Sequence, residues 1–273
     1  MPFRQRNDRN KVAFKQRRWH ALCFSNGMNR KSLDPLATAT ASFGPVPSNA
    51  WQRDAEGISL VRQLEPARPL RIGTDASTLE IDLARSLLIV VDMQNDFCHP
   101  QGWFAQKGVS MRATRRPIPT LQQLLPAWRQ TGAKVLWLNW GIRQDLLNLP
   151  ATVHFKGEWG AQIIADLQAA PSDIQVSKHR LSGFWDNELD SLLRASGITT
   201  LLFAGINTDR CVFSTLQDAA FLGYDCILLK DACSTPSPAY VTRAIHFLVE
   251  QCHGFVATAA ALQQSLASRN QES

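Results

Sequence analysis

A thiol, a carboxyl group and an amine together can do nucleophilic and acid–base chemistry, and this chain places one of each just after an apolar run. Cys211 stands in LLFAGINTDRCVFSTLQDAAFLGYDCILLKD, residues 201–231. There a strand-like run ends in a turn carrying Gly205 and Thr208, and a helical pattern starts at or beside the cysteine. A helix N-terminus presents unpaired N–H groups and the positive end of a dipole, which lowers a thiol pKa and favours the reactive thiolate. Free cysteine is also among the most buried residue types, so this stretch alone leaves nucleophile and core filler both open. Asp92 closes the run SLLIVVD (86–92), and Lys178 follows the short run Ile174–Val176. Taken singly, the first leaves turn cap and functional acid both open, and the second reads as an ordinary solvated lysine.

The elements that would position these residues alternate regularly from Ile81 onward. Short apolar runs at Ser86–Asp92, Lys134–Trp140, Ile174–Val176, Thr200–Ala204 and Asp225–Lys230 read as buried strands, with Gly254–Thr258 closing the sheet. Helical patterns fall at Ile118–Thr131, Trp159–Leu167, Glu188–Ser196, Cys211–Leu222 and Pro238–Cys252. Such alternation implies an α/β fold, a three-layer α-β-α sandwich with a mainly parallel central sheet. Right-handed crossovers place the C-terminal ends of parallel strands on one edge. Asp92, Lys178 and Cys211 are therefore expected to converge there although they lie far apart in sequence.

Composition narrows the remaining classes. The chain has 273 residues, 45% of them hydrophobic, which suits one domain of about 200 residues with an appendage. No apolar run reaches the length of a membrane span, and no signal peptide is visible. The six cysteines show neither CxxC nor Cys/His metal spacing, so they read as reduced thiols of a cytoplasmic protein, with Cys226, Cys233 and Cys252 as packing. The net charge of +6 is uneven: residues 1–31 hold nine Lys or Arg against Asp8 alone, leaving 20 bases and 22 acids elsewhere. The body thus gives no sign of nucleic-acid or membrane binding. The basic segment reads as a disordered arm, with an RNA- or membrane-binding arm or a transit peptide as the alternatives. Residues 32–80, rich in Pro, Ser and Ala, read as a surface lead-in with one short helix near Ala55–Leu64, the domain as 81–262, and 263–273 as a disordered tail.

The segments VVDMQNDF (90–97), SKHRLSGFWDNELD (177–190) and AGINTDRCV (204–212) resemble the isochorismatase-like cysteine hydrolases. That family includes nicotinamidases, N-carbamoylsarcosine amidohydrolase, ureidoacrylate amidohydrolase and biuret hydrolase. The resemblance runs from about Ile81 to Thr258 and implies a triad. Asp92 would be the general base, Lys178 would keep it ionised and stabilise the thiolate, and Cys211 would attack a carbonyl carbon. It also implies an oxyanion hole from the backbone N–H groups of Asn207 and Cys211, with the Ile206–Asn207 peptide cis. Relatives form dimers or tetramers, so a homo-oligomer is expected.

The chain departs from nicotinamidases, which carry an Asp and His metal cluster after the strand equivalent to Lys134–Trp140. LNWGIRQDLLNLPATVH offers only Asp145 and His154 there, so neither a metal nor an organic cofactor is expected. Isochorismatases proper lack the cysteine, which argues against ether hydrolysis. The pattern is nearest to ureidoacrylate amidohydrolase and biuret-type hydrolases, implying hydrolysis of a C–N bond in a small urea-type or carboxamide substrate. N-carbamoyl amino acids, nicotinamide and maleamate are the alternatives, and a non-catalytic binding protein on the same fold is the rival from another class. Asn139 and Gln217 are candidate hydrogen-bond partners for substrate. Phe97, Trp140, Trp159, Phe184 and Trp185 are candidate walls, and Arg180 would meet a substrate carboxylate or form a surface ion pair.

Overall fold

The computed structural model describes residues 41–44, 46–74, 77–142 and 156–272. Asp145 and His154 and the basic segment 1–31 lie outside these residues. Two compact units divide after Arg62. In the first, strands β1 (Ala41–Phe43), β2 (Trp51–Arg53) and β3 (Ile58–Ser59) form a small antiparallel sheet. The helix expected near Ala55–Leu64 is absent among these residues. The Asp54 carboxylate instead accepts from the N–H groups of Glu56 and Gly57, which turns the chain into β3.

The second unit opens with a hairpin of β4 (Pro69–Gly73) and β5 (Thr78–Asp82), in a stretch the sequence suggested was lead-in. The main chain then runs through β6 (Ser86–Val91) and four helices: α1 (Asn95–Cys98), α2 (Trp103–Gln106), α3 (Met111–Arg115) and α4 (Ile118–Gln130). Next come β7 (Lys134–Trp140), β8 (Ile174–Lys178), α5 (Leu189–Ala195) and β9 (Thr200–Ile206). A π-helical turn, Thr208–Val212, leads into α6 (Phe213–Phe221), followed by β10 (Asp225–Ser234) and α7 (Ala239–Leu248). A second π-turn, Val249–His253, precedes β11 (Phe255–Ala257) and α8 (Ala259–Glu272).

The central sheet has six strands in the order β11-β10-β9-β6-β7-β8, all parallel. Every residue of β6 and β9 is buried, as their unbroken apolar runs required. Alternate residues feed two cores. Leu88, Val90, Leu202 and Ala204 pack with α4, α8 and the hairpin, while Leu87, Ile89, Leu201 and Phe203 pack with α5, α6 and α7. The three layers expected from sequence are present.

The topology decides where a site can form. The chain steps outward from β6 through β7 and β8, then returns to β9 on the other side of β6. The crevice beyond the C-terminal ends of β6 and β9 is thus the switch point of the sheet, where open α/β sheets bind ligands.

Two further expectations need correction. Trp159–Leu167 is no helix: a short 3₁₀ turn spans Trp159–Ala161, and the side chains of Asn95 and Gln94 bond the Trp159 and Ala161 carbonyls. The segment 263–273, read as a disordered tail, continues α8 to Glu272, with Leu262 and Leu266 buried one turn apart. The helix is capped by Asp231, whose carboxylate accepts from Ala259 N at 2.5 Å and Ala260 N at 3.2 Å. Among the described residues no helix is long and apolar enough to cross a membrane.

Candidate active site

Asp92 is the first residue beyond β6, in a left-handed conformation (φ 52°). Its N–H still donates to Leu138 O of the neighbouring strand, so the carboxylate is delivered at the sheet edge on a fixed backbone. Lys178 closes β8 and Cys211 sits in the π-turn after β9. The three come together. The Lys178 ammonium lies 3.0 Å from Asp92 Oδ2, and the Cys211 thiol is hydrogen-bonded to the same carboxylate. The backbone N–H of Trp140 donates to Asp92 Oδ1 at 3.2 Å.

The group is dry. Lys178 is fully buried, Asp92 is 2% exposed and Cys211 5%. Besides Asp92, the ammonium meets the Arg180 carbonyl at 3.3 Å and the face of Trp140, 4.1 Å from the ring centre. Burial pushes the Asp92 pKa above its ordinary value, and Lys178, the thiol and the Trp140 N–H pull it back only in part. Burial likewise pushes the Cys211 thiol up to about 12, with the Asp92 charge adding to the rise and Lys178 opposing it. Burial thus works against the lowering of the thiol pKa expected from a helix N-terminus. The thiol therefore lies hydrogen-bonded to the carboxyl group that could take its proton, with the Lys178 side chain on the other side of that group.

Two backbone features shape the approach to Cys211. The Ile206–Asn207 peptide is cis, as the resemblance implied. Gly205 before it has φ 113°, and a Cβ there would lie 2.2 Å from Val91 O, so only glycine lets β9 end this close to β6. Beyond the turn, the Asp209 carboxylate accepts from Thr235 Oγ1 at 2.6 Å and Ser237 Oγ at 2.7 Å. These bonds tether the turn to the segment between β10 and α7.

A cavity of about 210 Å³ opens onto the thiol, lined by Asp92, Phe97, Trp103, Phe104, Trp140, Leu181, Asn207, Arg210 and Cys211. Of the candidate substrate contacts, Phe97 and Trp140 line it. Asn139 does not: adjacent strand residues face opposite sides, and it borders a separate recess with Ser177 and Gln175. Trp159 is 46% exposed and packs edge-on to His99. Phe184 packs against Tyr224, Trp185 donates to Asp218, and Gln217 lies 3.4 Å from His253 on the far side of the turn. Arg180 pairs with Asp186 at 3.5 Å. Cys252, read as packing, is exposed.

Trp103, Phe104, Leu181 and Arg210 were missed because they reach the cavity from loops and short helices without periodicity. Gln94 was also missed. Fully buried, it accepts from Trp140 N at 2.9 Å and donates to Trp140 O at 2.7 Å and Ala161 O at 2.6 Å, which pins the end of β7 beside Asp92. Among the described residues no three His, Cys, Asp or Glu side chains converge to hold a metal.

A doubly wound parallel sheet with a buried thiol, carboxylate and ammonium at its switch point has the make-up of a hydrolytic α/β enzyme. The isochorismatase domain model matches residues 86–261, and this chain belongs to the isochorismatase family of hydrolases. Among its relatives is ureidoacrylate amidohydrolase RutB of Caulobacter segnis, 32% identical over 218 residues, covering 71% of this chain and 88% of the relative. Similar solved structures include a cysteine hydrolase from Pseudomonas syringae pv. phaseolicola, with a TM-score of 0.61 and 26% identity over 74% of this chain and 99% of the other. An isochorismatase family protein from Desulfovibrio vulgaris has a TM-score of 0.58 and 30% identity, over 67% and 98% of the two chains.

Proposed function

We propose that this hydrolase is a cysteine amidohydrolase that cleaves a C–N bond in a small urea-type or carboxamide substrate of the ureidoacrylate or biuret kind. The observation that carries the reading is the Asp92 carboxylate, bonded at once to the Cys211 thiol and the Lys178 ammonium at the floor of an apolar cavity. Similarity to ureidoacrylate amidohydrolase supports the choice of substrate class.

In this mechanism Asp92 takes the thiol proton as the sulfur attacks the carbonyl carbon, and the carbonyl π electrons move onto oxygen. The backbone N–H groups of Asn207 and Cys211 hold that oxyanion, each donor worth about 3 kcal/mol. Protonated Asp92 gives its proton to the departing nitrogen, the C–N bond breaks, and ammonia or an amine leaves a carbamoyl- or acyl-thioester on Cys211. Asp92 then takes a proton from water as its oxygen attacks the same carbon. The thiolate is expelled and recovers a proton from Asp92. Lys178 keeps its charge throughout, stabilising first the carboxylate and then the thiolate.

The test is ammonia release over a panel of biuret, triuret, ureidoacrylate, N-carbamoyl amino acids, maleamate and nicotinamide. Cys211→Ala and Cys211→Ser should lose all turnover with an unchanged circular dichroism spectrum. Ammonia release that persists in either variant rules out the covalent route, and no release from any compound by the unaltered protein rules out the amidohydrolase reading.

A further inference from the structure

The wall of the reactive cavity includes one cation that the trio does not neutralise. Arg210 lines it, directly before Cys211 in the chain, and its side chain is 50% exposed, which puts the guanidinium at the mouth rather than the floor. Among the described residues the other charged group of the wall, Asp92, is matched by Lys178. The remaining wall is mostly aromatic or aliphatic: Phe97, Trp103, Phe104, Trp140 and Leu181.

Among the described residues the acid beside Arg210 is Asp209, and it is committed elsewhere. Each of its carboxylate oxygens accepts a short bond from a hydroxyl, of Thr235 at 2.6 Å and of Ser237 at 2.7 Å. Arg210 Nε stands 4.0 Å from Asp209 Oδ2, at the outer limit of an ion pair. A guanidinium presents five N–H donors in a planar fork that matches a carboxylate bidentately. Apolar surroundings strengthen such a contact. Arg180, the arginine the sequence offered for this role, is held by Asp186 and is not part of the wall.

We propose that Arg210 is a specificity-determining residue: it receives a carboxylate at the far end of the substrate, so this site takes anionic ureido or amido acids in preference to neutral ureas such as biuret. The proposal rests on the amidohydrolase reading above and narrows it. The scissile carbonyl would lie at Cys211, with the carboxylate at the mouth, where the half-exposed guanidinium also allows it to leave.

Binding to the Cys211→Ser protein tests this without turnover, read by the fluorescence of Trp103 and Trp140 in the cavity wall. The two probes are 3-ureidopropionate and its neutral carboxamide, identical but for the charged end. The carboxylate should bind about tenfold more tightly, with an advantage that shrinks at high sodium chloride because the guanidinium is half exposed. Adding Arg210→Gln should bring the two probes to equal affinity, and Arg210→Lys should retain part of the difference. Equal affinities before Arg210 is changed, a preference that survives Arg210→Gln, or no binding of either probe overturns the proposal. Ammonia release by the unaltered protein is scored separately. Its absence condemns the amidohydrolase reading, whereas the fluorescence comparison decides Arg210.

Discussion

Asp92 has two requirements at once: it must be ionised to accept a proton from Cys211, and it must be dry enough to hand that proton to a leaving nitrogen. Burial raises its pKa, and the Lys178 ammonium at 3.0 Å limits the rise. The sign for activity follows directly. Only the carboxylate form is a base, so a raised pKa moves the loss of activity on acidification to a higher pH. The acid limb of kcat/KM should therefore fall above the ordinary carboxylate value of 3.8. Asp92→Asn should lower kcat/KM by about 10²- to 10⁴-fold and abolish that limb. A limb that stays in place in the Asn variant would show that another group sets it. Cys211, with its thiol at about 12, should be alkylated by iodoacetamide slowly at neutral pH and faster as the pH rises. The trio itself was legible in the sequence because its three segments resemble the family's motifs and parallel strands put all three residues on one edge of the sheet. Its protonation state was not, since desolvation depends on loops and aromatic side chains that close over the thiol.

The elements carrying the trio are held in register by polar contacts as well as by the apolar core. Asp173, in the turn before β8, is the clearest case. Its carboxylate takes Arg129 at the end of α4 (2.5 Å), the Trp137 indole N–H of β7 (2.8 Å) and the Ala170 N–H (2.9 Å), and its side chain is 2% exposed. Burial pushes its pKa up, but these donors more than offset that, and the net shift is downward. A carboxyl whose folded pKa lies below its unfolded value contributes stability that is present above about pH 4 and is lost as the pH falls through the folded pKa. Asp173→Asn should destabilise the fold by about 1–3 kcal/mol at pH 7, and by less at pH 3, below the ordinary carboxyl value of 3.8, where the carboxyl of the unfolded chain is protonated. Urea melts at the two values measure this, and an equal loss at both would contradict it. At this scale the sequence was readable where a run is buried on both faces, as in β6 and β9. It misled at Trp159–Leu167, where Gln94 and Asn95 take the local carbonyls and tertiary contacts override a helical pattern.

At the scale of the whole second unit, the first core is closed from outside by the hairpin β4–β5 and by α8, the two pieces least visible in the sequence. The hairpin lies in a Pro-rich stretch, and α8 is mostly polar, with Ala259, Leu262 and Leu266 as the residues that face the core. Those three positions nevertheless bury fully or nearly so, against a layer that also holds Leu70, Ile72 and Leu125. The trio lies at the opposite end of β6 and β9 from their first residues and draws on both cores, so loosening one layer should affect stability before chemistry. Leu262→Ala removes a fully buried side chain and should cost about 2–5 kcal/mol in unfolding free energy. Gln263→Ala, one position on, is less buried and should cost under about 0.5 kcal/mol. Both proteins, assayed well below their melting temperatures, should retain the kcat of the unaltered enzyme. Equal stabilities of the two variants would mean that α8 is not docked through Leu262. A large loss of kcat in a folded Leu262→Ala protein would mean that the C-terminal helix reaches the site through the sheet.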